Sequence, residues 1–196
     1  MVVFRTFDKR SYTLRLFLKD IGQLFRNFSQ MKSAFTYEKI NKQFAERIML
    51  AVTAVNDCEY CIYGHSGSSV KSGVTDEEIV SIMKFDYDLS SLDEIVALNF
   101  AKHYAEKNGK PTKKAYKELV NCYGKEKANN ILVFIRIVSL GNYLGNTIEA
   151  FEARRKGLKV ENGSKFFETI AYLFVNRYYK QMKETGKNKI GNRFSL

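Results

Sequence analysis

The sequence predicts an all-α fold of the helical-bundle type. Apolar residues recur at intervals of three and four along most of the chain, which is the periodicity of amphipathic helices. Almost no segment alternates apolar and polar residues as a half-buried strand would. We also see no repeat of solenoid period and no low-complexity segment, so we expect one bundle.

The first two helices are predicted from this periodicity. Seven apolar side chains share one face of the first: Leu14, Phe17, Leu18, Ile21, Leu24, Phe25 and Phe28. They indicate a helix over residues 12–30. A second helix is expected over residues 37–55.

Capping residues predict where later helices begin and end. Thr75 to Glu78 and Ser91 to Glu94 both have the Ser/Thr-x-x-Glu form of a capping box, so each should begin a helix. Helix ends are expected at three glycines: Gly73, Gly109 and Gly124.

The composition is that of one globular domain. The chain has 196 residues, of which 45% are hydrophobic and 27% charged, and nothing in this length requires a second domain. We expect a single domain over residues 1–185, with its core over 37–155 and a basic, flexible tail over 186–196. A central buried helix should cover residues 125–155 and a last helix residues 164–184.

The formal net charge of +11 raises the question of an anionic partner. Much of the excess lies near the C-terminus, where six basic residues and one acidic residue lie between Arg177 and Leu196. No groove-reading or base-stacking motif accompanies them, so we interpret them as a solvated tail and expect no nucleic-acid partner. The apolar runs are shorter than the ~20 residues that span a bilayer, so no membrane partner is expected.

The cysteines carry the clearest chemical signal. Three cysteines without a signal-peptide pattern indicate thiols in a reducing cytoplasm and not a disulfide framework. With Asp57 as N-cap, Cys58 takes the first position of a helix that ends near Gly73. At roughly 100° per residue, Cys58, Cys61 and His65 fall within an arc of about 60°. Two thiols and one imidazole therefore share a face, which permits a disulfide and a proton transfer.

Reactivity at this face requires a thiolate, because a free thiol is mostly protonated at neutral pH. The positive end of the helix dipole and the basic nitrogen of His65 both favour ionisation, whereas Asp57 and Glu59 oppose it. Glu46, twelve residues before Cys58, is a candidate to face the site from the preceding helix. Spacing alone does not exclude that Arg47 or Gln43, on the same helix, faces the site instead.

Other interpretations of the cysteines are weaker. Cys58, Cys61 and His65 supply only three zinc ligands and no second Cys-x-x-Cys follows, so we expect neither a metal nor a cofactor. A thioredoxin assignment would need a βαβ unit, and the sequence predicts no such strands. Cys122 stands alone and is interpreted as a buried, small apolar residue. His103, without a Cys or acidic partner nearby in the sequence, is interpreted as structural.

The motif resembles the signature of the alkylhydroperoxidase D-like (AhpD-like) proteins within the carboxymuconolactone decarboxylase superfamily. The pattern is Glu46, eleven residues, Cys58-x-x-Cys61, three residues and His65. Four chemical residues match in order and spacing, and the close resemblance covers residues 44–82. One departure is Tyr60, where some peroxidase members have a second histidine.

The resemblance implies an all-helical homo-oligomer that reduces hydroperoxides with two cysteines. It makes Cys61 the thiol that attacks the peroxide and becomes a sulfenic acid, a reversible oxidation state. Cys58 becomes the resolving thiol and proton donor, and Glu46 and His65 become the proton relay.

We therefore expect a thiol-dependent peroxidase or disulfide oxidoreductase, with a hydroperoxide as substrate and a thiol or dithiol as reductant. The alternatives are a cofactor-free, decarboxylase-like enzyme that uses His65 and Glu46 as acid and base, and a non-enzymatic redox-sensing protein. The chain has 15 Phe and 12 Tyr, more than a small helical core buries, so a partner chain should cover part of the aromatic surface.

Overall fold

The computed structural model describes residues 6–26, 28–36 and 38–190, and within them the chain forms eight helices and one pair of very short strands. The helices are α1 (Leu14–Arg26), α2 (Phe28–Ala34), α3 (Lys42–Asn56), α4 (Glu59–Lys71), α5 (Asp76–Met83), α6 (Leu92–Glu106), α7 (Lys113–Arg155) and α8 (Lys165–Ile190). The strands β1 (Thr6–Phe7) and β2 (Lys159–Val160) pair in parallel. The all-α fold class is confirmed, and the strand pair is a small addition that the sequence did not predict.

The first predicted helix, over residues 12–30, corresponds to α1 and the start of α2. α1 ends at Arg26 and α2 begins at Phe28, while residue 27 lies outside the described residues.

The second predicted helix begins later than expected. Its expected start, Tyr37, lies outside the described residues, and α3 begins at Lys42. Asn41 is the N-cap, with an extended backbone and a side-chain oxygen that accepts a hydrogen bond from the Phe44 N–H at 2.8 Å. This bond satisfies one of the free N–H groups at the start of the helix.

One of the two predicted capping boxes forms. The Thr75 hydroxyl accepts from the Glu78 N–H at 3.2 Å, and the Glu78 carboxylate accepts from the Thr75 N–H at 2.8 Å. Ser91 is the N-cap of α6, but its side chain makes no capping hydrogen bond. The second box is therefore wrong although the helix start is right, and Glu94 instead lies 3.3 Å from the Arg47 guanidinium.

The long helix α7 supplies much of the core. Gly124 interrupts it with φ 73° and ψ 161°, a left-handed φ that glycine adopts without strain, so the stretch after it is the predicted central helix over 125–155. Within the described part of the chain, α7 is the one helix long and apolar enough to cross a membrane, and 67% of its apolar window is buried inside the protein. That burial is compatible with the core helix of a soluble protein.

The last helix is longer than the sequence suggested. α8 continues to Ile190, with Gly186 and Ile190 buried, so residues 186–190 belong to the helix and not to the expected tail. Residues 191–196 lie outside the described residues. The expected end at residue 184 lies two residues before Gly186, and glycine weakens the interior of a helix. Here Gly186 lets the backbones of α8 and α4 approach closely.

The core has a main part and a smaller part that contains the cysteines. The main cluster joins α3, α6 and α7, and the smaller one lies where α4, α7 and α8 meet. The start of α8 is fixed to α7 by Arg154, whose Nε lies 2.7 Å from Oε2 of the buried Glu168. α8 is thus held against the cysteine cluster.

Candidate active site

The site is built around the N-terminus of α4. Asp57 has a left-handed backbone, with φ 50°, and closes α3 through a hydrogen bond from its N–H to the Thr53 carbonyl at 2.9 Å. Cys58 is the N-cap of α4, and its Sγ accepts a hydrogen bond from the Cys61 N–H at 3.3 Å. The prediction of Asp57 as N-cap is therefore wrong by one residue, because Asp57 ends the preceding helix and a cysteine sulfur takes the capping role.

The two sulfurs of the motif are joined. Cys58 and Cys61 form a disulfide, with their Cα atoms 5.2 Å apart. Both residues are buried, at 0% and 2% exposure, within an apolar cluster that includes Ile148 and Tyr179. The cysteine pair is therefore enclosed by protein in this conformation.

A glycine of α7 allows this close packing. A Cβ added at Gly145 would collide with Sγ of Cys58 and would lie 3.3 Å from Sγ of Cys61 and 3.1 Å from the ring of Tyr179. No side chain larger than hydrogen fits without displacing one of these groups. Sequence reasoning missed Gly145 because its role depends on a contact between distant parts of the chain.

Glu46 and His65 come together from α3 and α4. His65 Nδ1 lies 3.5 Å from Glu46 Oε2, and the Ser68 hydroxyl donates to Glu46 Oε1 at 2.5 Å. Glu46 is buried, whereas the His65 side chain keeps 23% exposure. The arrangement links a buried carboxylate to an imidazole that solvent reaches, and Ser68 was not predicted as part of it.

Arg47 and Gln43, which spacing alone did not exclude from the site, do not face His65. Arg47 forms ion pairs with Glu78 at 2.7 Å and Glu94 at 3.3 Å. Gln43 directs its amide toward the position where Gly73 would carry a Cβ. The carboxylate of Glu46 is therefore the charged group that α3 offers to His65.

α8 covers the cysteine pair, which the sequence did not indicate. The Tyr179 ring packs against Tyr60 with 5.9 Å between centroids, and its hydroxyl donates to the Gly141 carbonyl at 2.7 Å. Lys183 forms an ion pair with Glu59 at 2.5 Å and lies 5.5 Å from the centroid of the Tyr60 ring. Apolar, polar and cation–π contacts thus hold α8 over the N-terminal half of α4.

A second charged group lies beside the first turn of α4. Glu149 accepts a hydrogen bond from the Glu59 N–H at 2.8 Å and forms an ion pair with Lys9 at 2.9 Å. Burial raises the pKa of Glu149, against the attraction of Lys9. Burial alone lowers the pKa of Lys9, but Glu149 and Asp57 outweigh it and the pKa is raised. This group fixes the helix start that carries Cys58.

Tyr60 occupies the position where the sequence departs from some peroxidases. Its hydroxyl donates to Glu152 at 3.0 Å, and burial, followed by the charge of Glu152, raises its pKa. The ring contacts Tyr179 and Lys183. Tyr60 therefore ties α4 to α7 and α8 and stays protonated at neutral pH.

The remaining candidates lie outside the site. Cys122 is exposed, so its prediction as a buried apolar residue is wrong; its side chain lies on the outer face of α7, two residues before the break at Gly124. His103 Nε2 accepts a hydrogen bond from the Thr112 N–H at 3.2 Å and so holds the turn after α6. Among the described residues, no group of three His, Cys, Asp or Glu side chains is placed to hold a metal ion.

Comparison with known proteins gives one match. Residues 22–102 match the model of the carboxymuconolactone decarboxylase family. The matched segment contains Glu46, Cys58, Cys61 and His65. No curated protein and no solved structure matches the chain.

Proposed function

Residues 22–102 belong to the carboxymuconolactone decarboxylase family, and from that premise we propose that the chain is a thiol-dependent peroxidase that reduces hydroperoxides. The observation that carries the proposal is the pairing of Cys58 and Cys61 at the start of α4. A pair that closes and opens within one helical turn stores two electrons without a cofactor. The match is to the family as a whole, and within it the paired cysteines support thiol chemistry.

The proposed cycle starts from the reduced pair. The Cys61 thiolate attacks one oxygen of the hydroperoxide, the O–O bond breaks, and the alkoxide leaves as an alcohol after taking a proton. Cys61 is then a sulfenic acid. The Cys58 sulfur attacks Sγ of Cys61, water leaves, and the disulfide forms. An external dithiol reduces the disulfide by thiol exchange and supplies the two electrons.

His65 and Glu46 act in this cycle as the proton relay. His65 lies one turn after Cys61 on the same helix, and its Nδ1 lies 3.5 Å from Oε2 of Glu46, an oxygen that makes no hydrogen bond in the described conformation. In the proposed relay a hydrogen bond forms between these two atoms during turnover and leaves the other ring nitrogen to exchange protons on the cysteine face. The exposed side of His65 connects the relay to solvent.

The backbone at the helix start assists the thiolates. Sγ of Cys58 already accepts the Cys61 N–H, and a negative sulfur accepts such a bond more strongly than a neutral one. The free N–H groups of the first turn also stabilise a thiolate, because they lie at the positive end of the helix dipole. Glu149 opposes them, but the positive charge of Lys9 offsets its charge.

Access to the sulfurs requires α8 to move. The described conformation buries both cysteines beneath Tyr179, and thiol exchange with a dithiol needs a direct approach to a sulfur. We therefore propose that α8 opens during the cycle, and that the reductant engages the open state.

We also propose a homo-oligomer in the cytoplasm. Large apolar side chains on α1, α2 and α8 are exposed in the single chain, among them Phe25 at 70%, Phe28 at 60%, Leu173 at 75% and Phe174 at 82%. Contiguous exposed apolar surface is typical of a subunit interface. Sedimentation that finds only the monomer at micromolar concentration would contradict this part of the proposal.

Turnover measurements test the function. Reduced protein with a dithiol should consume hydroperoxide, and Cys61→Ser should abolish that consumption. Cys122→Ser is the matched control, because it removes an exposed thiol outside the site and should leave the rate unchanged. If no variant differs from the wild type, or if the Cys58→Ser/Cys61→Ser protein converts a lactone by acid–base chemistry, the peroxidase proposal is wrong.

A further inference from the structure

A pocket lies away from the cysteines, between α1, the end of α6 and α7. It encloses about 60 Å³. Its lining holds four cationic side chains and one carboxylate: Arg10, Lys19, Arg136, Lys110 and Asp20. The proposed peroxidase cycle uses none of them, so this concentration of positive charge needs its own explanation.

The two arginines are held in place by neutral groups. Nη1 of Arg10 donates to Asn108 Oδ1 and to the Tyr143 hydroxyl, both at 3.0 Å, and its guanidinium carbon lies 4.4 Å from the centroid of the Tyr143 ring. Nε of Arg136 is buried and has no hydrogen-bond partner among the described residues. Both arginines are half-buried. The side chain of Arg136 hydrogen-bonds that of Tyr104, so the groups that hold the two guanidiniums carry no negative charge.

The charges of the pocket are not balanced from within. Among the described residues, neither Arg10 nor Arg136 has a carboxylate within ion-pair distance. Asp20, the acidic residue of the lining, accepts a hydrogen bond from the Tyr12 hydroxyl at 3.0 Å. Half-buried guanidiniums that lack a counter-charge are costly and attract an anion.

The geometry points to a binding site for a small oxyanion, a carboxylate or a phosphate group, in this pocket. We propose that Arg136 and Arg10 contact the oxygens of the anion, because a guanidinium presents paired N–H groups that match the spacing of oxyanion oxygens. The two lysines add charge at the rim. The Tyr143 hydroxyl, already a partner of Arg10, lies at the same wall.

The pocket is connected to the segment that precedes the cysteines. Asn146 Nδ2 donates to the Arg10 carbonyl at 3.2 Å and to the Asn56 carbonyl at 2.9 Å. Asn56 is the last residue of α3. Asn146 therefore joins the backbone of Arg10, beside the pocket, to the end of α3, two residues before Cys58.

Calorimetric titration of the full chain tests the site. The probes are inorganic phosphate and acetate at constant ionic strength, with chloride as the charge control. We expect one of them to bind with a Kd below about 10 mM, and Arg136→Gln to weaken it by about tenfold or more. Arg177→Gln, an exposed arginine on α8, is the matched control and should not change the Kd.

The outcomes distinguish a phosphate site, a carboxylate site and non-specific binding of any anion. Tighter binding of phosphate assigns a phosphoryl group, and tighter binding of acetate assigns a carboxylate. If Arg136→Gln does not fold, Lys110→Gln changes an exposed residue of the rim and should weaken binding by about threefold. Binding no tighter than that of chloride, or an equal loss in Arg177→Gln, overturns the proposal.

Discussion

Replacement of Gly186 by alanine should open the cover over the cysteine pair. A Cβ at this position would collide with the Tyr63 carbonyl and would lie 3.1 Å from the Gly64 nitrogen. Both are backbone groups of α4, so neither gives way by changing a rotamer, and α8 must move outward. Overpacking of this kind costs about 1–3 kcal/mol. At about 1.4 kcal/mol for each factor of ten, the open population should rise roughly 5- to 150-fold.

The alkylation rate of the reduced cysteines measures this opening. Reduced protein is treated with iodoacetamide, and the modification of each cysteine is followed by mass spectrometry. When opening and closing are fast, the rate at Cys61 follows the open population. Cys122 is exposed and serves as the reference within the same molecule. Gly22→Ala is the matched control, because nothing lies within 4 Å of the added Cβ.

We expect slow labelling of Cys61 in the wild type and faster labelling in Gly186→Ala, with Cys122 labelled equally in both. Circular dichroism checks that the variant is folded. Lys183→Gln gives a milder test, since loss of a partly exposed ion pair with Glu59 costs at most about 1 kcal/mol. Equal labelling of Cys61 and Cys122 in the wild type, or no acceleration in folded Gly186→Ala, would refute the account of α8 as a cover.

Three further changes test the site and its support. Gly145→Ala should lower the free energy of unfolding of the oxidised protein by about 1–3 kcal/mol, because its Cβ meets Sγ of Cys58; an unchanged melting temperature would refute the packing argument. His65→Ala should slow hydroperoxide turnover at pH 7 on the order of 100-fold, with partial recovery at higher pH, where the thiolate forms without a base; a uniform loss at every pH would contradict the relay. Lys9→Met leaves the Glu149 charge buried without its partner and should cost about 3 kcal/mol near pH 8 in denaturant unfolding. Burial raises the pKa of Glu149 and loss of Lys9 raises it further, so the folded variant takes up a proton more readily than the unfolded chain as the pH falls, and the cost should shrink on acidification.

The candidate site on α4 could be predicted from the sequence because it depends on local spacing. Cys58, Cys61 and His65 share a face of one helix, and only helical geometry is needed to bring them together. The N-cap was misplaced by one residue, because the left-handed backbone of Asp57 that ends α3 cannot be read from residue type. The same holds for Cys122, whose exposure depends on what packs against α7.

The enclosure of the site could not be predicted, because it depends on contacts between distant parts of the chain. Gly145 and Gly186 look like helix-weakening residues in the sequence, yet each allows a backbone to approach α4 or its cysteines. Tyr179 and Lys183 belong to the predicted last helix, but the basic residues from Arg177 onward were interpreted as solvated. Only the packing of α8 on α4 reveals their role.

Trapping of the sulfenic acid in Cys58→Ser tests the central claim most directly. With the resolving thiol removed, Cys61 oxidised by a hydroperoxide has no neighbouring thiol to condense with, so its sulfenic acid should accumulate and react with dimedone. We predict a dimedone adduct on Cys61 by mass spectrometry in Cys58→Ser, and none at the cysteine pair in Cys61→Ser. An adduct on Cys58 in Cys61→Ser, with none on Cys61 in Cys58→Ser, would reverse the roles of the two thiols. Absence of an adduct in both variants would contradict the thiol-peroxidase account.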